Sequence, residues 1–202
     1  MPLREIAHSV PVTPMALTSP RRPPIQRSEF AEAMSNLAAT VCIVAGHWQG
    51  ERQGRTATAV LSLSAEPPSL LVSIDRTCRL AELVLASGRF SVAMLASDQE
   101  NIADAFAGKL GGIDRFSVGD WQNWESGTPR LPSAAASIDC ELIGSMSIPT
   151  HLVIAGAIVG TQLAKTTAPL LWHRRQYHRP APLSEWPPLF AEEPQPWPTP
   201  AD

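Results

Sequence analysis

The chain has 202 residues, of which 44% are apolar, and a formal charge of −3 from 16 basic and 19 acidic side chains. That length suits one domain with appendages rather than two domains, and the mild acidity supplies no electrostatic footprint for nucleic acid. Cys42, Cys78 and Cys140 are scattered and have no metal-knuckle spacing. A reducing, cytoplasmic setting is therefore expected, and a disulfide framework or a metal site is not. No apolar run reaches the roughly 18 to 20 residues of a membrane helix, and no compact apolar segment near the start reads as a secretory signal. A soluble protein without membrane or nucleic-acid partners is expected.

Proline marks the expected boundaries. Six of the 20 prolines precede Ser28 and eight lie from Pro180 onward; such segments cannot join a helix or a central strand. Residues 1–27 are expected to form a disordered proline-rich arm, 28–178 the folded domain, and 179–202 a proline-rich tail. In the tail, Trp186, Leu189, Phe190 and Trp197 are costly to expose, so a strap over a partner subunit and a mobile end both stay open.

The domain opens with Ser28 as expected N-cap of a short helix, with Phe30, Met34 and Leu37 at helical spacing. Thr40 to Ala45 reads as a strand, and the polar stretch Gln49 to Gly54 as the turn of a hairpin. Thr56 to Ser64 alternates with period two and reads as one strand. Leu70 to Ile74 and Phe90 to Leu95 are further apolar strands, and Cys78 to Leu85 between them has helical spacing. Ser97 or Asp98 is expected to cap a helix running through Phe106 and stopped by Gly108. Ile138 to Ile143, His151 to Gly160 and Leu170 to Trp172 read as late strands. About seven strands and three short helices, without regular alternation, predict a mainly β, mostly antiparallel barrel rather than a βαβ sheet.

The candidate chemistry lies in the joints. The alternation of Thr56, Ala57, Thr58, Ala59, Val60, Leu61, Ser62, Leu63 and Ser64 puts Thr56, Thr58, Ser62 and Ser64 on one face, although an edge strand wetting its hydroxyls fits the same pattern. Asp75, Arg76, Thr77 and Cys78 stand between a buried strand and a helix start, where a cation, a hydroxyl and free backbone N–H groups suit a phosphate. A solvated capping turn is the ordinary alternative. Phe106, Ala107, Gly108 and Lys109, then Asp114, Arg115 and Phe116, add aromatic and basic groups. No dinucleotide glycine fingerprint, Walker loop, nucleophile elbow or metal-spaced histidine pair is present. Of five histidines, His151 at a strand entrance and His173, within an aromatic and cationic stretch ending at His178, invite a role beyond packing.

Taken together, Thr56-Ala57-Thr58-Ala59, Ser62-Leu63-Ser64, Pro67-Pro68, Ser73-Ile74-Asp75-Arg76, Phe106-Ala107-Gly108, Asp114-Arg115-Phe116, Thr150-His151 and His173-Arg174-Arg175 occur in an order that resembles the short-chain flavin reductases. These are the reductase partners of two-component flavin monooxygenases. The resemblance spans roughly Phe30 to His178. It implies an antiparallel split β-barrel of the FMN-binding type, a homodimer, FMN or FAD as cofactor, NADH or NADPH as co-substrate, and an NAD(P)H:flavin oxidoreductase that supplies reduced flavin to a flavin-dependent monooxygenase partner or reduces a second acceptor through bound flavin. It further implies flavin along Arg55, Thr56, Ala57, Thr58, Ala59, Ser62 and Ser64, its phosphate at Asp75, Arg76, Thr77 and Cys78, and closure by Phe106, Ala107, Gly108 and Lys109. His151, His173 and Arg175 then face the nicotinamide nucleotide. No side chain is expected to act as acid or base, because hydride passes between the cofactors. Two departures from the family pattern, Arg55 before the Thr-Ala pair and Thr58 where asparagine is frequent, together with the proline-rich ends, keep a non-catalytic flavin-binding or assembly protein as the alternative.

Overall fold

Gln49 and Gly50 have φ of 49° and 83°, the two left-handed residues of a tight hairpin turn whose twist matches that of the flanking strands. The turn is therefore two residues long, and Glu51 to Gly54, expected to belong to it, already lie in the ladder: Trp48 faces Glu51 and Ala45 faces Gly54. The computed structural model describes residues 10–164 and 168–182. In chain order it contains β1 (Val12–Pro14), α1 (Arg27–Ser35), β2 (Ala39–Thr40), β3 (Cys42–Trp48), β4 (Glu51–Ala57), β5 (Val60–Ala65), β6 (Pro68–Asp75), α2 (Arg79–Ser87), β7 (Arg89–Met94) and α3 (Glu100–Phe106). A 3-10 turn (Arg115–Ser117), β8 (Gln122–Asn123), β9 (Pro129–Arg130), β10 (Ala136–Ser147), β11 (His151–Leu163), β12 (Leu171–His173) and β13 (Gln176–His178) follow.

The main sheet runs β4-β3-β7-β10-β11-β6-β5, antiparallel at every step along this path. This is the mainly β, split-barrel architecture expected. Its two end strands, β4 and β5, are consecutive in sequence and are joined by Thr58 and Ala59 alone. The single strand expected over Thr56 to Ser64 is thus two strands at opposite edges. A bulge between Ser62 and Ser64 breaks the alternation a second time.

Why β3 reads as an uninterrupted apolar run is clear from its two faces. Cys42 and Val44 enter one core, with Leu70, Val72, Phe90, Ile138, Cys140 and Ile154. Val41, just before the strand, and Ile43 and Ala45 enter a second core, with Ala93, Leu95, Ile102, Phe106, Phe116 and Leu131. A strand covered on both sides has no polar face to alternate. α2 places Leu80, Ala81 and Val84 on the first core and ends at Gly88, whose φ of 67° and N–H bond to the Val84 carbonyl form a left-handed cap. α3 places Ile102, Ala103, Ala105 and Phe106 on the second.

The helix starts differ from expectation. α1 is capped by Gln26 rather than Ser28, because Glu29 reaches back to the Gln26 N–H at 2.9 Å, the reciprocal bond of a capping box. Its expected apolar stripe stays in solvent, with Phe30 57% and Leu37 59% exposed. α3 is preceded by Gln99 rather than Ser97 or Asp98, and the Gln99 side chain accepts from the Ala96 N–H. Within the segment expected to be an arm, Val12–Pro14 pairs in parallel with the end of β10. β13 extends the short last strand into a hairpin with β12, which also pairs with β2. Trp186, Leu189, Phe190 and Trp197 lie outside the described residues.

Candidate functional site

Thr58 is the meeting point of four cavities. One, of about 300 Å³, is bounded by Arg55, Thr56, Ala57, Thr58 and Ala59 on one side and by Ser73, Asp75, Cys78 and His151 on the other. A second, of about 210 Å³, runs from Thr56, Ala57 and Thr58 to Ala107, Lys109, Trp172 and Tyr177. A groove of about 400 Å³ under α1 brings Arg175 and Trp172 to Thr58 and Ala59. The largest, about 520 Å³ and mostly apolar, continues past Val60 and Ser62 to Leu70 and Ile158. Remote stretches of sequence thus converge on the two-residue bridge between the sheet's ends.

The bridge is held from both sides. The Thr56 hydroxyl donates to the Ala103 carbonyl at 2.6 Å, and the Ser73 N–H donates to the Ala59 carbonyl at 3.0 Å. Beside it, the Thr77 N–H and hydroxyl both donate to Asp75 Oδ1 at 2.7 Å. These bonds hold the Asp75 carboxyl below its ordinary range, the hydroxyl contributing most, with His151 and Arg55 adding positive charge. Asp75 also pairs with His151 across the β6–β11 ladder. α2 begins immediately after, and its N-cap Cys78 makes no side-chain capping bond, so the helix's positive end is not covered by its own cap.

Not every expected site residue is at the bridge. The Phe106 side chain is fully buried in the second core, edge-on to Phe116 with ring centroids 5.0 Å apart, so position 106 has no exposed ring to close over a ligand. Ala107 and Lys109, on either side of the left-handed Gly108 at φ 80°, do line a cavity. Ser64 turns to Glu66, accepting from its N–H at 3.0 Å, and lines none of these four cavities. Arg76 reaches toward the Pro149 carbonyl at 3.5 Å. His173 packs against His178, ring centroids 5.6 Å apart, and is beside Trp172 rather than in the cavity wall. Arg175 lines the groove and lies 3.9 Å from Glu32.

Trp172 and Tyr177, which line the second cavity, and Asp104, which is bonded to Tyr177 and Lys109, do not stand out individually in the sequence. Asp104 Oδ1 accepts from Tyr177 Oη at 2.6 Å and from Lys109 Nζ at 2.7 Å. These bonds lower the Asp104 pKa, chiefly through Lys109, and the bond to Asp104 raises that of Lys109. Burial, then the bond to Asp104, pushes the Tyr177 hydroxyl up to about 12. The available signal was that Tyr177 is the sole tyrosine of the chain, placed in a stretch already marked as aromatic and cationic.

The donor set fits a planar anionic ligand: small side chains at Ala57 and Ala59, cations at Arg55 and Lys109, and an uncapped helix start at Cys78. Residues 34–181 match the flavin reductase like domain. The chain belongs to that family. It is 39% identical over 155 residues to the reductase component of an FADH(2)-dependent resorcinol hydroxylase from Rhizobium sp., a match covering 76% of this chain and 87% of the relative. It is 34% identical over 161 residues to the FMN reductase (NADH) RutF of Stutzerimonas stutzeri, covering 80% and 92%. A solved flavin reductase domain protein from Arthrobacter sp. FB24 superposes with a TM-score of 0.72 at 28% identity, over 78% of this chain and 98% of that one. As a flavin reductase-like protein, the chain is an oxidoreductase acting on flavin. Among the described residues no group of metal-ligating side chains occurs, and no helix is long and apolar enough to cross a membrane.

Proposed function

We propose that this protein is an NADH-dependent flavin reductase that hands reduced FMN or FAD to a flavin-dependent monooxygenase, and that it works in the cytoplasm as a homodimer. The observation that carries the reading is the convergence on Thr58 of cavities reaching Asp75, Cys78, Lys109 and Arg175. The relatives' names support the nicotinamide and oxygenase parts: one is an FMN reductase (NADH), another the reductase component of a hydroxylase. Free, buried cysteines at 42, 78 and 140 support a reducing compartment. The exposed apolar residues Leu37, Leu61 and Leu63 around the open edge support a second copy covering it.

When bound, the flavin supplies the hydride-accepting ring chemistry. The chain's part is to place and polarise. Ala57 and Ala59 admit a flat ring against the bridge, and Thr56 is unavailable as a proton donor there because its hydroxyl is committed to Ala103. Arg55, Lys109 and the start of α2 at Cys78 offset phosphate charge, while one oxygen of the Asp75 carboxylate is taken up by the Thr77 N–H and hydroxyl. His151 and Arg175, which line cavities at the bridge, meet the nicotinamide nucleotide. No proton relay is required of any of them, since the hydride passes between the cofactors and the chain's contribution is to hold the two reactants against each other at the bridge.

Anaerobic stopped-flow mixing of flavin-loaded protein with NADH tests this. Loss of the oxidised flavin spectrum at a rate saturating in NADH is expected; an unchanged spectrum would point to the non-catalytic binding protein instead. Light scattering of the full chain checks the dimer, and a monomer mass overturns it.

A further inference from the structure

Beside the 210 Å³ cavity, two side chains five residues apart, Asp104 and Lys109, meet a third, Tyr177, from 73 residues beyond Asp104 along the chain. Asp104, on α3, accepts at one oxygen from both Lys109 Nζ and Tyr177 Oη. The Lys109 ammonium also lies 5.2 Å from the Tyr177 ring centroid and 5.5 Å from that of Trp172, within range of attraction by both π faces. Lys109, Tyr177 and Trp172 line the cavity, and Asp104 does not. The ion pair therefore turns its positive end inward.

A lysine ammonium is a point charge on a flexible stem. Of its three donors, one is spent on Asp104 and the others remain for an acceptor in the cavity. The ammonium, on a half-exposed side chain, is held by the carboxylate on one side and by the two rings beside it. The Tyr177 hydroxyl in turn fixes the carboxylate, tying the β12–β13 hairpin to α3 through that same oxygen.

We propose that Asp104 and Tyr177 are positioning residues that fix the Lys109 ammonium as the group distinguishing phosphorylated flavin from riboflavin. This rests on the flavin reductase reading above. It separates two effects that oppose each other in Asp104→Asn. Removing a negative charge near the cavity favours any anion, whereas releasing Lys109 weakens a directed contact to phosphate. Positioning requires the second effect to win.

The test titrates FMN and riboflavin by fluorescence into the full-length protein and into Lys109→Met, Tyr177→Phe and Asp104→Asn. Its readout is the ratio of the riboflavin to the FMN dissociation constant. Lys109→Met is expected to lower the ratio about tenfold, the scale of one hydrogen bond to a charged group. Tyr177→Phe and Asp104→Asn are expected to lower it in the same direction by several-fold. A ratio raised by Asp104→Asn overturns the inference in favour of plain repulsion. Equal losses for both ligands, or a lowered melting temperature with an unchanged ratio, overturn it in favour of a structural tie between hairpin and helix. If Asp104→Asn does not fold, Tyr177→Phe, which loses a single oxygen, decides alone. Wild-type protein that neither binds flavin nor reduces it with NADH retires the flavin reading itself. Wild-type protein that reduces flavin while the variants keep its ratio overturns the positioning role alone.

Discussion

Gly54 faces the ring of Phe106 so closely that a Cβ built on the glycine would stand 2.5 Å from Cε1. This close approach of strand to helix aligns β4 with α3 and brings the Thr56 hydroxyl to the Ala103 carbonyl. The ring has little room to yield, because Phe116 and Trp121 pack against it with centroids 5.0 and 5.1 Å away. Gly54→Ala is therefore expected to cost about 1–3 kcal/mol, as overpacking does, and Phe106→Leu in the same chain to recover part of it. Urea unfolding of the single and double variants checks this; strictly additive losses would show that the two positions do not share the contact.

Tyr177 is the chain's sole tyrosine, so a tyrosinate signal belongs to it alone. Its hydroxyl is pushed to about 12 from an ordinary 10.0, first by burial and then by its bond to Asp104. Tyrosinate absorbance should therefore rise with a midpoint about two units higher in native protein than in denaturant. A folded-state pKa raised in this way contributes stability below the unfolded value, lost as pH rises from about 10 toward 12. A native midpoint at the denatured value would contradict the burial of the hydroxyl together with its bond to Asp104.

The acid limb has the opposite sign. Asp75 is held below its ordinary 3.8, first by the Thr77 hydroxyl and then by the Thr77 N–H. A depressed carboxyl pKa contributes stability above the unfolded value and loses it as pH falls through the folded one. Melting temperature should thus decline below about pH 4, and less steeply in Asp75→Asn. Parallel curves for the two proteins would exclude Asp75 from the acid response.

At the β12–β13 turn, Arg174 and Arg175 have φ of 47° and 63°. A side chain in that region costs about 1–2 kcal/mol, while the exposed contact of Arg175 with Glu32, at 3.9 Å, returns about 0–1 kcal/mol. Arg175→Gly should consequently be more stable than Arg175→Ala by about 1 kcal/mol, the reverse of their order in a helix. Thermal melts decide the order. Both variants should raise the KM for NADH alike, since both lose the guanidinium proposed to meet the nucleotide.

Local pattern carried much of the fold. The runs at Leu70, Phe90, Ile138 and His151 lie inside or nearly coincide with β6, β7, β10 and β11, because burial on one or both faces writes itself into adjacent residues. The break at Thr58 and Ala59 was illegible: hydroxyls and small residues alternate straight through it, and which sheet edge a strand joins is a long-range matter. Burial of the Phe106 ring was hidden likewise, as its partners Gly54 and Phe116 lie far off or across a loop. The Asp104–Tyr177 bond spans 73 residues, beyond the reach of any periodicity.

Thr58 and Ala59 also act as a stitch across a seam, since the strands they join stand at opposite ends of the sheet order. The gap between those edges is then set by chain length more than by side chains. One residue spans about 3.3 Å when extended. A variant with a single residue more or fewer at this stitch is expected to present the same neighbouring side chains around a slot of different width.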